Sequence, residues 1–107
     1  MQMTIKLDEF LNAIKKLEAK KPLGRGKKAY LSGSMTISIA DQVAILQAGG
    51  AKVTCAAEGF WGGEVEFSFP IALSLLKVPP KEPLIKLHYE DGRLLIGPLR
   101  IPGRLIR

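Results

Sequence analysis

Few side chains in this sequence have the type and spacing that chemistry demands. His88 is the one histidine and Cys55 the one cysteine. A metal site ordinarily recruits three or four His, Cys or carboxylate ligands. His88 falls on the polar face of an alternating segment and reads as a surface histidine. Cys55 alternates with Val53 and Ala57 on an apolar face, the place of a small buried hydrophobe. Without a histidine beside it, Cys55 lacks the base that activates a thiol nucleophile. Glu58, Glu64 and Glu66 lie close together, and Glu64 and Glu66 share one face of a strand. Paired carboxylates can divide acid and base roles, but no nucleophile or cleft residue accompanies these, so they read as solvated surface acids. Gly24-Arg25-Gly26-Lys27-Lys28 has the composition of a phosphate loop. It lacks the glycine spacing before Gly-Lys-Ser/Thr and follows a helix rather than a strand. It reads as a flexible basic loop whose Arg25, Lys27 and Lys28 can touch a polyanion. The expectation is a protein with no catalytic residues, no metal and no other cofactor.

The elements that carry these residues follow from periodicity. Residues Thr4 to Leu7 alternate as a strand, and Asp8 stands where an N-cap belongs. Phe10, Leu11, Ile14 and Leu17 recur at helical spacing, which predicts an amphipathic helix over 9–20. Lys15, Lys16, Lys20 and Lys21 crowd its C-terminal half, where cations suit the helix dipole. Pro22 and Gly24 stop it. A short strand is expected near 30–33. Met35, Ile37 and Ile39 then alternate with Thr36 and Ser38. Asp41-Gln42 turns into Val43–Gln47, and Ala48-Gly49-Gly50 turns into Lys52–Ala57, a meander of antiparallel strands. After the loop around Phe60-Trp61 the pattern restarts. Val65, Phe67 and Phe69 line a strand face, Pro70 suits the first turn of a helix, and Ile71–Val78 is short and apolar. Ile85, Leu87 and Tyr89 point inward on the next strand, with Lys86, His88 and Glu90 outward. Asp91-Gly92 is a hairpin signal, because both residues tolerate positive φ. Arg93–Ile96 returns, and a last run through Leu99 and Ile101 carries prolines that favour an edge position.

The chain has 107 residues, the size of a single domain spanning 1–107. Its 47% hydrophobic and 24% charged residues are ordinary for a globular chain rather than a disordered one. No apolar run approaches the ~20 residues of a membrane-spanning helix, so no membrane partner is expected. One cysteine allows no internal disulfide, and the N-terminus lacks the blocks of a secretory signal. Together these point to the cytoplasm. Sixteen Lys and Arg against ten Asp and Glu leave a net charge of +6. That surplus suits a polyanion, and it also suits plain solubility.

The two halves, about 1–58 and 64–107, can be laid over each other. Ile5-Lys6-Leu7-Asp8-Glu9-Phe10-Leu11-Asn12-Ala13-Ile14-Lys15 matches Phe67-Ser68-Phe69-Pro70-Ile71-Ala72-Leu73-Ser74-Leu75-Leu76-Lys77 in pattern. Ile37-Ser38-Ile39-Ala40-Asp41 matches Leu87-His88-Tyr89-Glu90-Asp91. Each half is a strand, a helix and a run of strands. On these segments, with Tyr89-Glu90-Asp91-Gly92-Arg93-Leu94 and Arg100-Ile101-Pro102-Gly103, the chain resembles a single domain of the bacterial DNA sliding clamps. The resemblance covers nearly the whole chain and rests on pattern. It implies an α+β, DNA clamp-like domain: two strand–helix–three-strand units with antiparallel sheets and two helices on one side.

In that family, domains sit edge to edge around a ring and basic helix residues meet duplex DNA without reading bases. The resemblance therefore implies that Lys15, Lys16 and Lys20 face the DNA, with Lys77 at the end of the second helix. Sequence-independent contact of this kind displaces counterions along the backbone. The fold's free sheet edges offer a route to a homo-oligomer, but a bacterial clamp strings three such domains on one chain and this chain carries one, so a dimer or a monomer is expected before a complete ring. Phe60-Trp61, set between glycines, reads in two ways. It is either the contact for a protein partner or a plug where the two halves meet.

Overall fold

β1 (Gln2–Lys6) buries Met3 and Ile5 and exposes Gln2 and Lys6, the period of two that a strand shows with one face on a core. The structure, a computed structural model, describes residues 1–19, 33–48 and 50–106. α1 (Leu7–Ala19) follows β1 without a loop. Its first residue is Leu7, so Asp8 is a first-turn residue and not the cap. The Leu7 amide donates to the Pro83 carbonyl at 2.9 Å. A distant carbonyl thus takes a helix-end amide that a cap would otherwise satisfy. Asp8 and Glu9 occupy the first turn, where the dipole favours carboxylates. Phe10, Ala13, Ile14 and Leu17 form the buried stripe.

β2 (Ser34–Ala40), β3 (Val43–Ala48) and β4 (Ala51–Ala56) form the expected meander. The strand read near 30–33 lies, except for Gly33, outside the described residues. Asp41 and Gln42 turn β2 into β3 with φ of 52° and 61°, the paired positive φ of a two-residue hairpin. The Glu58–Phe60 stretch, read from sequence as loop, is a short strand β5 beside β1. β6 (Val65–Ser68) leads into α2 (Phe69–Lys77). α2 starts before the expected Ile71 because the Ser68 hydroxyl caps it, accepting from the Ile71 amide at 3.4 Å. β7 (Leu84–Glu90) and β8 (Arg93–Ile96) are joined by Asp91 and Gly92 with φ of 48° and 79°, and β9 (Leu99–Leu105) follows.

The strands make one nine-stranded sheet in the order β4-β3-β2-β6-β9-β8-β7-β1-β5, with both helices on its apolar side. Each unit lends its first strand to the other. β1 pairs with β7, and β6 pairs with β2. The registers repeat as well: Met3 faces Leu87 where Val65 faces Ile37, and Ile5 faces Ile85 where Phe67 faces Met35. β4 runs through Ala57 into β5, so the two ends of the order are one stretch of chain. β9 makes the same change of partner within itself, pairing by Leu99–Pro102 with β8 and by Gly103–Leu105 with β6. Gly103 donates to Gly92 on the β8 side and Ile106 to Glu64 on the β6 side. Residues 104 and 106 therefore bond toward β6, and so would 102. Proline has no amide proton to give, and the β6 ladder stops there. The edge position expected for this strand thus holds for Leu99–Pro102 only. Inward residues of every strand but β5 join those of both helices in one core.

Candidate nucleic-acid interface

Lys15 and Lys16 flank the buried stripe of α1 between Ile14 and Leu17, and 3.6-residue periodicity turns both to solvent. Glu18 sits half-buried one turn from Lys15, and Asp8 and Glu9 lie at the other end, so the described cations of α1 gather in its C-terminal half. Lys77 is exposed in the last turn of α2. The two helices touch each other, which puts the three lysines in one layer. Lys20, Lys21, Arg25, Lys27 and Lys28 lie outside the described residues. An exposed row of ammonium groups can meet phosphates as point charges. It offers no planar fork or paired amide for reading base edges.

The Phe60-Trp61 pair divides. Phe60 is 75% exposed on β5, whereas Trp61 is 5% exposed. The indole Nε1 donates to the Ile37 carbonyl at 3.3 Å. The reading of Trp61 as a partner contact is therefore corrected: it is buried in the core and bonded to β2. An indole buries a large apolar body once its single donor has found an acceptor. Phe60 has no such anchor and keeps its side chain in solvent.

The remaining candidates fall as follows. His88 lies on the outer face of β7, with Nε2 3.3 Å from Glu90 Oε2. Cys55 is half-buried, and burial, with a smaller push from the Glu9 carboxylate, raises its thiol pKa to about 11. Such a thiol is a poor nucleophile at neutral pH. Glu66 accepts from Arg104 Nη2 at 2.7 Å and from Ser34 Oγ at 3.1 Å, tying β9 and β2 to β6. Ser34 and Arg104 lie 32 and 38 residues from Glu66, and only the strand order reveals that they meet. At the matching place in the other half stand Leu84, Thr4 and Glu58, which line an open cleft of about 750 Å³. Among the described residues no three His, Cys, Asp or Glu side chains are grouped to hold a metal. No described helix is long and apolar enough to cross a membrane.

No protein-family model matches the chain, and no curated protein sequence matches it. Solved structures do. The beta subunit of DNA polymerase from Streptococcus pyogenes aligns with 97% of this chain at a TM-score of 0.72 and 12% identity. The DnaN sliding clamp, the beta subunit of DNA polymerase III from Pseudomonas aeruginosa, solved with griselimycin bound, aligns with 98% at 0.69 and 18% identity. The DNA polymerase sliding clamp of Bacillus subtilis aligns with 97% at 0.70 and 12% identity. The chain spans 30%, 30% and 31% of those proteins, respectively. It thus has the fold of one domain of the bacterial DNA polymerase III beta sliding clamp.

Proposed function

We propose that this chain is a non-catalytic, clamp-like module that meets the backbone of duplex DNA through its helix layer. The observation that carries this reading is the exposure of Lys15, Lys16 and Lys77 on the helix layer of a sliding-clamp fold. The net charge of +6 supports it. In this reading Lys20, Lys21, Arg25, Lys27 and Lys28 are further contacts for the DNA backbone, and sheet edges join the module to further clamp-like domains. The setting is the cytoplasm, beside DNA replication or repair.

Salt-dependent binding to a fluorescent duplex tests the proposal. Neutralising about four phosphates gives a log–log salt slope of about −3.6. Changing Lys15, Lys16 and Lys77 together to glutamate should remove binding and leave the far-UV circular dichroism spectrum unchanged. Absence of binding at low salt, or binding indifferent to these changes, overturns the reading. A second reading, a protein-interaction module without DNA affinity, is favoured by one observation, the 75% exposure of Phe60. Loss of a protein partner on Phe60→Ala, with no duplex binding at any salt, would select it.

A further inference from the structure

We infer that the outer edge of β4 docks the same edge of a second copy of this chain, so that two sheets run on as one across a two-fold axis. This rests on the edge-to-edge association in the reading above and assigns it to one edge and one partner.

The assignment begins with backbone direction. The Ala57 amide donates to the Gln42 carbonyl at 3.0 Å, and the β3–β4 register continues that alternation. Residues 51, 53 and 55 therefore bond to β3, while the amides and carbonyls of Lys52, Thr54 and Ala56 turn away from it. Among the described residues no strand lies beyond β4, and all three of these residues are exposed. The edge is six residues long, carries no proline and has Lys52 as its one charge. Protected edges are short, or carry proline or several charges.

The outermost strand at the other end of the order and the one-sided part of β9 are protected in those ways. β5 has three residues. On Leu99–Pro102 the groups turned away from β8 belong to Arg100 and Pro102, and Pro102 has no amide proton. Head-to-tail assembly needs two complementary edges on each copy, whereas a two-fold pairing needs one that matches itself. An antiparallel register with Thr54 opposite its own copy sets Lys52 opposite Ala56. Every outward amide and carbonyl of the edge then has a partner.

The apolar side agrees. α1 lies along β4, with Glu9, Asn12, Lys16 and Cys55 around a small cleft between them. The Glu9 carboxylate lies near Cys55. A two-fold axis through Thr54 brings the Glu9 end of one helix toward the Lys16 end of the other, pairing opposite charges on both sides. An edge of six residues with one helix flank comes near the ~1,000 Å² floor of specific interfaces, so the expected dissociation constant is micromolar.

Light scattering on the full chain without DNA should show a monomer–dimer equilibrium over micromolar concentrations. Thr54→Pro deletes the central outward amide and leaves the β3 ladder alone, so it should give a monomer with unchanged circular dichroism. Thr54→Cys in a Cys55→Ser background should oxidise to a linked dimer, because directly opposed residues of a hydrogen-bonded pair lie about 5.5 Å apart at Cα, within disulfide reach. Asp41→Cys in the same background should not. A monomer at every concentration, a dimer that persists in Thr54→Pro, or assemblies larger than two would each overturn the assignment. Duplex binding is read separately, so its failure is told apart from this one.

Discussion

Gly59 carries the tightest backbone approach in the molecule's β1–β5 pair. At a φ of 140°, a Cβ placed there would stand 2.4 Å from the Gln2 carbonyl oxygen and 2.7 Å from Met3 Cα. Both obstacles are backbone and cannot rotate aside. Gly59→Ala should cost about 2–4 kcal/mol in chemical denaturation; a loss under about 1 kcal/mol would show that β5 yields cheaply. Gln42 poses the opposite case, holding a φ of 61° where the matching turn has Gly92. Gln42→Gly should stabilise by about 0.5–1 kcal/mol, since the left-handed conformation is strained for a side chain with a Cβ. Cys55 adds a pH dependence. Its folded pKa is raised to about 11 from an ordinary 9.0, so the folded state holds the proton more tightly than the unfolded one. Its contribution is present below about pH 9 and falls as pH rises toward 11, the sign required when the unfolded thiol ionises first. Thiol labelling should accelerate over the same window, and rapid labelling at pH 7.5 would contradict it.

At the scale of elements, hydrophobic period carried most of what the sequence disclosed. Strand, helix and meander were legible in both halves because Met35, Ile37, Val53, Ile85 and Leu87 keep the alternation that one buried face requires. Asp91-Gly92 was legible because both residues tolerate positive φ, and Asp41-Gln42 as a break between two alternating runs; the structure gives both turns positive φ. What stayed hidden depends on partners distant in the chain. The start of α1 is set by Pro83, the strand character of Glu58–Phe60 by β1, and the Ser34–Glu66–Arg104 tie by the order of β2, β6 and β9. The lysines were legible as exposed because they flank a periodic stripe. Trp61 was legible only as an alternative, since nothing local says that the Ile37 carbonyl waits for its indole. Capping remains a local matter: Ser68→Ala should lower stability by about 1 kcal/mol through the uncapped start of α2, and equal denaturation midpoints would count against that cap.

At the scale of the whole molecule, the exchange of first strands makes each unit unable to finish its sheet alone. Unfolding should therefore be a single transition in which Trp61 fluorescence and far-UV circular dichroism coincide. Separated curves would mean that one unit stands without the other. The same exchange leaves the two halves alike in register and unlike in surface. Where one half ties its strands with Arg104 and Glu66, the other leaves Glu58 and Thr4 beside an open cleft.

The lending of β1 to β7 has a consequence for the growing polypeptide. β1 leaves the ribosome well before Leu84–His88, the residues of β7 that pair with it. Until they emerge, Met3 and Ile5 lack their β7 ladder, and β1 has only the three residues of β5 to pair with. The meander of β2, β3 and β4 can form early, but it too waits for β6. Completion of the sheet thus waits for β7, and closure over so long a separation is slow compared with local hairpins.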